Sequence, residues 1–427
     1  MIVGLPRVSI ILINQISFML NKTLSKLSTI LVVAFLVITG CDQPTEVEKS
    51  NDNLDEKAEQ LQNKQGQPIE DQYIVVFDNK VSKDKAVAGE RKKKISKISG
   101  RHSIAKDAIV NRYTNAIGGF TAELNSQQLE NLKTDNEVKY VEQDRIVMLS
   151  PPEATDSFWC IYFGIGCDDG GGDPQETPYG IDRIGGAVDG SGLTAWVIDS
   201  GVDLDHDDLN VDTQRSTSFV SSESSADDGN GHGTHVAGTI AALDNDIDVI
   251  GVAAGASVVG VKVLDSDGSG SYSGVISGID YVAANASPGD VANMSLGGGT
   301  SQAVDDAVRN AADQGIYFAV AAGNDGADAN NSSPARVEYN NVYTISAIDS
   351  NDDFASFSNY ANPPIEYAAP GVDVKSLWKN NGVNTISGTS MASPHAAAVL
   401  LLTGGNPSTD GTANGDPDGT PDPIVFQ

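Results

Sequence analysis

The feature that most constrains the fold is a regular alternation of short apolar runs with Ala-rich segments, which begins at about residue 177. The apolar runs have the length and composition of buried parallel strands, at Leu193–Ile198, Val258–Val263, Val291–Ser295, Tyr317–Ala321 and Val342–Ala347. The Ala-rich segments predict helices at His232–Leu243, Gly274–Ala284, Ala303–Gln314 and Ser390–Leu402. Strands that alternate with helices predict an α/β domain, residues 177–427, with a parallel sheet and helices on both faces.

The part of the chain before this domain has a different texture. Residues 72–149 predict a small α+β domain with strands at Tyr73–Phe77, Ala116–Leu124 and Val138–Glu142 and a short helix at Gln127–Leu132. Ser126 is the predicted N-cap of that helix, and the basic stretch 80–112 has weak helical character. Residues 42–71 are polar without periodicity and predict a flexible tether, while residues 150–176 predict a linker.

The first 41 residues have the features of an export signal. Nine apolar residues, Ile30–Ile38, follow Lys22 and Lys26 and are too few to span a bilayer. The stretch Val37–Cys41 resembles a bacterial lipobox, which predicts a lipid on Cys41; the alternative is an ordinary signal peptide with a chance cysteine. Met19 begins a signal of better proportions than Met1. In an exported chain, the spacing of Cys160 and Cys167 indicates a local disulfide; metal binding is the weaker alternative, because two thiols without a nearby His make a poor zinc site.

The charge of the chain excludes one class of partner. The formal net charge is −31, and residues 151–427 contain 7 basic and 39 acidic residues. Phosphate neutralisation requires a surface rich in Lys and Arg, so we expect no nucleic-acid partner. A strong like charge instead fits an exported protein that must remain soluble.

Three segments place a polar residue at a strand end or at a helix start, where parallel α/β sheets have their sites. They are Val197–Val202 around Asp199, the Gly-rich turn Gly229–Gly238 around His232, and Ser387–His395 around Ser390. A hydroxyl, an imidazole and a carboxylate together make an activated nucleophile, because His takes the proton from Ser and Asp fixes the His tautomer. A Ser at a helix N-terminus also has backbone donors near a developing oxyanion.

In the order Asp, His, Ser, these segments resemble those of the subtilase family of serine proteases, in particular its proteinase K-like branch. The resemblance covers residues 177–405 and includes Asn293–Gly298, Ala321–Asp325, Phe357–Tyr360 and Ala369–Gly371. Residues 72–149 resemble the inhibitory propeptide of the same family. The resemblance implies a subtilisin-like fold and an endopeptidase that is made as a self-processing precursor.

The resemblance also implies roles for individual residues. Asp199 matches the orienting acid, His232 the general base, Ser390 the nucleophile and Asn324 the side-chain donor of the oxyanion hole. Ser295, Leu296 and Gly297 match the strand that pairs with the substrate backbone. Gly297–Gly299 and the stretch from Ala321 to Gly323 match the walls of the first specificity pocket. Because these walls offer no charge, we expect cleavage after apolar or aromatic residues.

Two other functions compete with this one. A catalytically inactive subtilase-like lipoprotein would act as a binding module, but all four key positions hold competent residue types. An esterase or lipase is disfavoured because Ser390 lacks the Gly-x-Ser-x-Gly pattern. The expected partners are protein or peptide substrates and the chain's own propeptide, and we expect a monomer that meets the membrane only through a lipid on Cys41.

No cofactor is expected for catalysis, but structural calcium is an open alternative at three places. The acidic runs 203–208 and 410–422 lack the spacing of an EF-hand loop, so a solvated acidic face is the favoured interpretation. Glu366 matches a position where proteinase K-like enzymes place a calcium-ligating carboxylate. His206, His235 and His395 are interpreted as structural.

The end of the chain departs from the family pattern. Only 37 residues follow Ser390, where relatives continue with a further strand and helix. We therefore expect the acidic C-terminal segment, or residues 150–176, to cover the helix that carries Ser390. If Cys41 is lipidated, cleavage between residues 150 and 176 would release the mature enzyme from the cell envelope.

Overall fold

The computed structural model describes residues 64–78, 84–149 and 172–427. The predicted signal peptide with Cys41, most of the tether and the Cys160–Cys167 pair lie outside the described residues. Within the described ranges, none of the helices combines the length and the apolar character that a membrane crossing needs.

Residues 64–149 form the N-terminal domain, an antiparallel sheet covered by two helices. Its elements are β1 (Pro68–Asp78), α1 (Lys85–Arg101), β2 (Ile109–Tyr113), β3 (Gly118–Glu123), α2 (Ser126–Lys133) and β4 (Tyr140–Met148). The strand order is β4-β1-β3-β2. The domain has its own apolar core, in which Phe77 and Ile95 are buried with Phe120.

The N-terminal domain differs from the prediction in several details. Strand β1 begins at Pro68, inside the predicted tether, and β4 continues to Met148, beyond the predicted strand end at Glu142. The stretch with weak helical character contains a full helix, α1, and then the strand β2. Helix α2 is capped by Asn125 rather than Ser126, because the Asn125 side chain accepts from Gln128 N at 2.9 Å while the Gln128 side chain accepts from Asn125 N at 3.0 Å. This reciprocal pair is a capping box, which needs the side chain one residue earlier than we expect.

Residues 172–427 form the C-terminal domain. Its first half contains α3 (Tyr179–Arg183), β5 (Val188–Asp189), β6 (Thr194–Asp199), β7 (Thr217–Ser218), α4 (His232–Ala241), β8 (Ala253–Ala254), β9 (Ser257–Lys262), β10 (Ser269–Ser271) and α5 (Tyr272–Asn285). Its second half contains β11 (Val291–Met294), β12 (Gly298–Gly299), α6 (Gln302–Ala312), β13 (Tyr317–Ala321), β14 (Ser332–Ser333), β15 (Val342–Ile348), β16 (Ile365–Pro370), β17 (Val374–Trp378), β18 (Gly382–Ile386), α7 (Thr389–Thr403), β19 (Ser408–Thr412) and β20 (Pro423–Phe426).

The main sheet has the order β19-β20-β16-β15-β13-β11-β6-β9-β7 and is parallel except for the β19–β20 pair. Helices α4 and α7 pack against each other and on the sheet, and α5 and α6 form a second pair that also contacts the sheet. Both helix pairs contact β6, near the middle of the sheet. The predicted α/β domain with helices on both faces is confirmed.

The C-terminal segment is an ordered hairpin. Strand β20 pairs with β16 through Ala368 and Ile424, and β19 pairs with β20 on the outer side. Val425 is buried in the main core, where β20 contacts α7. The hairpin therefore lies against the helix that carries Ser390, as one of the two expected alternatives proposed.

One strand of the C-terminal domain belongs to the sheet of the N-terminal domain. Strand β10 pairs with the end of β4, so that Ser269 lies opposite Met148 and Ser271 opposite Ile146. The end of β4 is thereby placed against the C-terminal domain, at the site described below.

Candidate active site

Asp199 and His232 meet where β6 ends and α4 begins. Both side chains are buried, and His232 Nδ1 lies 2.8 Å from Asp199 Oδ1 in a hydrogen bond. Gly231 caps α4 at a φ of 115°, and a Cβ there would lie 2.3 Å from the Trp378 ring. Only glycine therefore permits the turn that brings the first residue of α4 onto the end of β6.

Ser390 is the second residue of α7, a helix that packs against α4. Its hydroxyl donates to the Ser295 carbonyl at 3.2 Å and lines a cavity with a volume of about 310 Å³. In the described structure the hydroxyl makes no hydrogen bond to His232. Such bonds often form only when the substrate is in place.

Asn324 lies beside the start of α7. Its Oδ1 accepts from Thr389 N at 2.8 Å and from Thr389 Oγ1 at 2.9 Å. Its Nδ2 lies near Gly388, because a Cβ built on that glycine would be 3.4 Å away. The amide is thus anchored through its oxygen, and its nitrogen lies beside Gly388, which precedes Ser390 by two residues in the sequence.

The cavity beside Ser390 brings together two segments that the sequence predicts as substrate-binding. Its lining includes Ser295–Gly299 on one side and Ala321–Gly323 on the other. It also includes Asp325 and Asp328, two exposed carboxylates. The matched walls themselves carry no charge, but the cavity as a whole also contains these two carboxylates, which the sequence-based prediction did not include.

Comparisons with known proteins agree with this geometry. Residues 190–413 match the model of the subtilase family, and residues 72–150 match that of peptidase inhibitor I9. The chain is 42% identical over 342 residues to alkaline serine exoprotease A of Vibrio alginolyticus, a match that covers 78% of this chain and 60% of that protein. It is 39% identical over 348 residues to a cuticle-degrading serine protease of Arthrobotrys oligospora, covering 78% of this chain and 80% of that protein. The chain belongs to the subtilase family of serine proteases.

The fold of this chain is similar to that in the crystal structure of a cold adapted subtilisin-like serine proteinase. The TM-score is 0.52 and the sequence identity 42%, and the match covers 58% of this chain and 97% of that chain. The predicted family, its proteinase K-like branch and the serine-protease class are confirmed. The N-terminal domain is an inhibitor I9 propeptide.

The end of the propeptide of this subtilase lies in the candidate substrate cleft, beside Gly297. Met148 forms an antiparallel bridge with Gly297 on one side, while Ile146–Met148 pair with β10 on the other. Leu149 N continues this pairing with a 2.9 Å hydrogen bond to Gly268 O. The end of β4 is therefore held between β10 and the segment at Gly297, as a bound peptide would be.

Gln65, which precedes β1, reaches the same place. Its Nε2 donates to Gly297 O at 2.8 Å, and its Oε1 accepts from Met148 N at 2.6 Å. The backbone around it pairs with β4, because Gly66 N donates to Ile146 O at 2.9 Å. The side-chain amide thus bridges the propeptide and the enzyme, and it lines the cavity beside Ser390.

Three carboxylates join the propeptide to helices α5 and α6. Glu142 accepts from Ala303 N at 3.1 Å and Asp144 from Ser273 N at 3.1 Å, each in the first turn of a helix. Asp280 of α5 accepts from the backbone of propeptide residues 114–116. Burial raises the pKa of all three carboxyl groups. The helix N-termini favour the ionised forms of Glu142 and Asp144, and the backbone N–H groups of residues 114–116 favour that of Asp280, but burial is the larger effect in each case.

The remaining histidines of this domain bond to the backbone or pack in the interior. His235 Nε2 lies 3.0 Å from Val374 O and His395 Nδ1 lies 2.8 Å from Met391 O. Burial lowers the pKa of His235 to about 3 and that of His395 to about 4, so both rings stay neutral. His206 Nε2 lies 3.3 Å from Gly382 O. These contacts are those of structural residues.

The sequence-based prediction missed several residues at the cleft. Thr389 anchors Asn324, β10 forms one wall of the cleft, and Gln65 contacts Gly297 from outside the predicted propeptide. The Gly- and Ser-rich stretch Asp265–Ser271 was the available signal for β10, because it follows a strand and supplies the N-cap Ser271 of α5. Gln65 had no signal, because its contact spans 232 positions of the sequence.

Proposed function

We propose that this subtilase is the precursor of an exported endopeptidase that uses Asp199, His232 and Ser390 as its catalytic triad. The observation that carries the proposal is the buried hydrogen bond between Asp199 and His232, beside a cavity onto which the Ser390 hydroxyl opens. Carboxylate, imidazole and hydroxyl at adjoining element ends make an activated nucleophile.

The reaction follows from the atoms at the site. Ser390 Oγ attacks the scissile carbonyl while His232 Nε2 takes its proton, and Asp199 stabilises the imidazolium through Nδ1. The oxyanion accepts from Asn324 Nδ2 and from backbone N–H groups at the start of α7. His232 then gives its proton to the leaving amine, so that an acyl-enzyme and a new N-terminus form. Water deacylates Ser390 by the same proton path.

The propeptide acts as an inhibitor that occupies the cleft as a cleaved substrate would. The support is the position of β4 between Gly297 and β10, close to Ser390. Self-cleavage between residues 150 and 176 would then leave propeptide and enzyme as a non-covalent complex. Degradation of the propeptide would free the cleft.

Export and anchoring rest on the sequence of residues 1–41, where the apolar run ends in Cys41. A lipid on Cys41 would hold the precursor at the cell envelope, and self-cleavage would separate it from the catalytic domain. Fractionation of cells that express the wild type and Ser390→Ala, with detection of the C-terminus, tests both steps. We expect soluble wild-type enzyme and full-length, membrane-associated variant. Wild-type catalytic domain found only in membranes and still joined to Cys41 would contradict release.

We also propose that Asp208 holds a structural calcium ion. Asp208 is fully buried, so a solvated acidic face is the wrong description of this position; its Oδ2 lacks a hydrogen-bond partner among the described residues. Its Oδ1 accepts from Asn245 Nδ2 at 2.6 Å, and Gln175 Nε2 donates to Leu243 O at 2.8 Å and to Val249 O at 3.4 Å. Both amides present N–H groups here, so to bind a cation they would have to turn their oxygens toward it. Carboxylate, amide and carbonyl oxygens are the ligands that Ca²⁺ takes.

The other calcium candidates have weaker support. Among the described residues there is no group of three or more His, Cys, Asp or Glu side chains placed to hold a metal ion. Asp422 of the second acidic run is bonded to Ser346 at 2.5 Å and to Asn362 at 2.8 Å. Glu366 accepts from Thr344 N at 2.6 Å. Of these calcium candidates, Asp208 alone is fully buried and has a carboxylate oxygen that lacks a hydrogen-bond partner among the described residues.

A further inference from the structure

Ser200, the residue after Asp199, links the end of β6 to the start of α4. Its N–H donates to Asp199 Oδ1 at 2.7 Å. Its hydroxyl donates to Asp228 Oδ1 at 2.9 Å and accepts from Gly233 N at 3.0 Å. One fully buried side chain therefore contacts both elements that supply the Asp–His pair.

Asp228 is the centre of the hydrogen bonds that surround this link. Its Oδ1 accepts from Asn230 N at 3.0 Å and Gly231 N at 2.9 Å, in addition to the Ser200 hydroxyl. Its Oδ2 accepts from Thr234 N at 2.9 Å and Thr234 Oγ1 at 2.7 Å. A buried carboxylate that accepts five hydrogen bonds is held rigidly and holds its donors in turn.

These bonds replace the missing side-chain cap of α4. The N-cap residue Gly231 has no side chain, so the first N–H groups of the helix need other acceptors. Ser200 Oγ accepts from Gly233 N, Asp228 Oδ2 accepts from Thr234 N, and Asn230 Oδ1 accepts from His232 N at 3.2 Å. The position of His232 relative to Asp199 therefore depends on Ser200 and Asp228.

The backbone carbonyl of Ser200 is also bound by a buried cation. Lys262 Nζ donates to Ser200 O at 2.5 Å and forms an ion pair with Glu223 at 3.0 Å. The N–H, hydroxyl and carbonyl groups of Ser200 thus all have fixed partners. The turn after Asp199 has little freedom to adjust if the bond to Asp228 is lost.

We propose that Asp228 is a positioning residue of the catalytic site, which acts through Ser200 and the first turn of α4 to fix the Asp199–His232 hydrogen bond. The inference rests on the proposed triad. Asp228 lies outside the lining of the substrate cavity, so its loss changes the alignment of the reacting groups and leaves substrate binding intact. Small misplacements of reacting groups lower rates by up to about 10²-fold.

The test compares D228N, S200A and the double variant with wild type, each produced as the full chain and assayed after self-processing. D212N is the matched control, because Asp212 accepts from Gln214 N and Arg215 N within another turn of the same domain. We expect D228N to lower kcat about 10–100-fold with KM changed less than about twofold. We expect kcat of the double variant to be at most about twofold lower than that of D228N, since both changes break the same Ser200–Asp228 hydrogen bond. D212N is expected to keep kcat within about twofold of wild type.

A second readout follows the Asp199–His232 hydrogen bond itself, as its far-downfield proton resonance. We expect this signal to be lost or broadened in D228N and S200A and kept in D212N. If D228N lowers the melting temperature but keeps kcat and the resonance, Asp228 is only a helix cap and the proposal is overturned. S200A gives the same decision if D228N does not fold. Ser390→Ala distinguishes failure of the proposed triad from failure of the positioning role. Activity that survives in Ser390→Ala contradicts the triad, whereas full kcat in D228N contradicts only the positioning role of Asp228.

Discussion

Replacement of Asp208 by Asn provides a quantitative test of the proposed calcium site. Burial raises the pKa of Asp208 to about 7, against an ordinary value of 3.8. At about 1.4 kcal/mol for each pH unit, keeping this carboxylate ionised without a cation costs at most about 4 kcal/mol at alkaline pH, and about 2 kcal/mol when solvent screening halves the effect. In a domain of this size, about 1 kcal/mol changes Tm by roughly 2–4 °C, so calcium is expected to raise Tm by about 4–8 °C if it relieves this cost.

The sign of the pH dependence follows from the direction of the shift. Because the folded-state pKa is raised, the favourable contribution is present below about pH 4 and is lost as the pH rises through about 7. Without calcium, Tm should therefore fall between pH 5.5 and pH 8.5. Calcium favours the ionised form and should remove most of this fall.

The assay is thermal unfolding of the full chain in the Ser390→Ala background, which prevents self-digestion. Tm is measured at both pH values in excess calcium and in EDTA, for the parent, Asp208→Asn and Asp212→Asn. We expect the parent and Asp212→Asn to respond to calcium at pH 8.5, and Asp208→Asn to lose most of the response. Buried Glu366 and Asp422 also have raised pKa values, about 8 and about 6, so only the difference between parent and Asp208→Asn reports on Asp208. Equal Tm values of the parent in calcium and in EDTA would refute the reasoning.

Three further predictions concern the cleft. Asn324→Ala should lower kcat about 10²–10³-fold at similar KM, because it removes an oxyanion donor. Asn324→Asp keeps an acceptor for Thr389 but lacks the donor, so it should be equally slow. A near-normal kcat in either variant would contradict the proposed role of Asn324. Asp325→Asn should lower kcat/KM about threefold for peptides with Lys on the acyl side and leave Phe peptides unchanged, since an exposed charge contributes little; equal loss for both peptides would count against a charge effect. Gln65→Ala should shorten the lag before activity appears about tenfold, because the hydrogen bonds to Gly297 and Met148 are lost. The control is Gln127→Ala, whose amide bonds to Asn131 within α2, and it should leave the lag unchanged. Equal lags in Gln65→Ala and wild type would show that Gln65 does not contribute to inhibition.

The sequence predicts elements best where the apolar pattern and the local signals coincide. Strand Tyr317–Ala321 has the predicted bounds, and β6, β9 and β15 differ by one residue at their ends. The C-terminal hairpin escapes prediction because β19 is polar and exposed along its whole length. Only its partner β20 carries apolar residues, and these indicate a buried strand only once the pairing of β20 with β16 is known.

The site shows a similar division between local and distant signals. Asp199, His232 and Ser390 lie in short motifs that can be recognised one at a time, and the fold brings the first two into contact. Asp325 follows Asn324 directly, but its place at the cavity depends on how the chain turns after β13. Asp228 lies in an ordinary Gly-rich turn, and its link to Ser200 spans 28 positions of the sequence. Contacts of this kind are set by the packing of elements and leave no local pattern.

The most direct test of the central claim is covalent labelling of Ser390. A fluorophosphonate reacts only with a serine whose hydroxyl is activated by a neighbouring base. Self-processed wild type, Ser390→Ala and His232→Ala are incubated with the probe, and the modified peptide is identified by mass spectrometry. We expect a single adduct on Ser390 in wild type, no adduct in Ser390→Ala and labelling at least about 10³-fold slower in His232→Ala. No adduct on Ser390 in wild type, or equal rates in wild type and His232→Ala, would contradict the proposed triad.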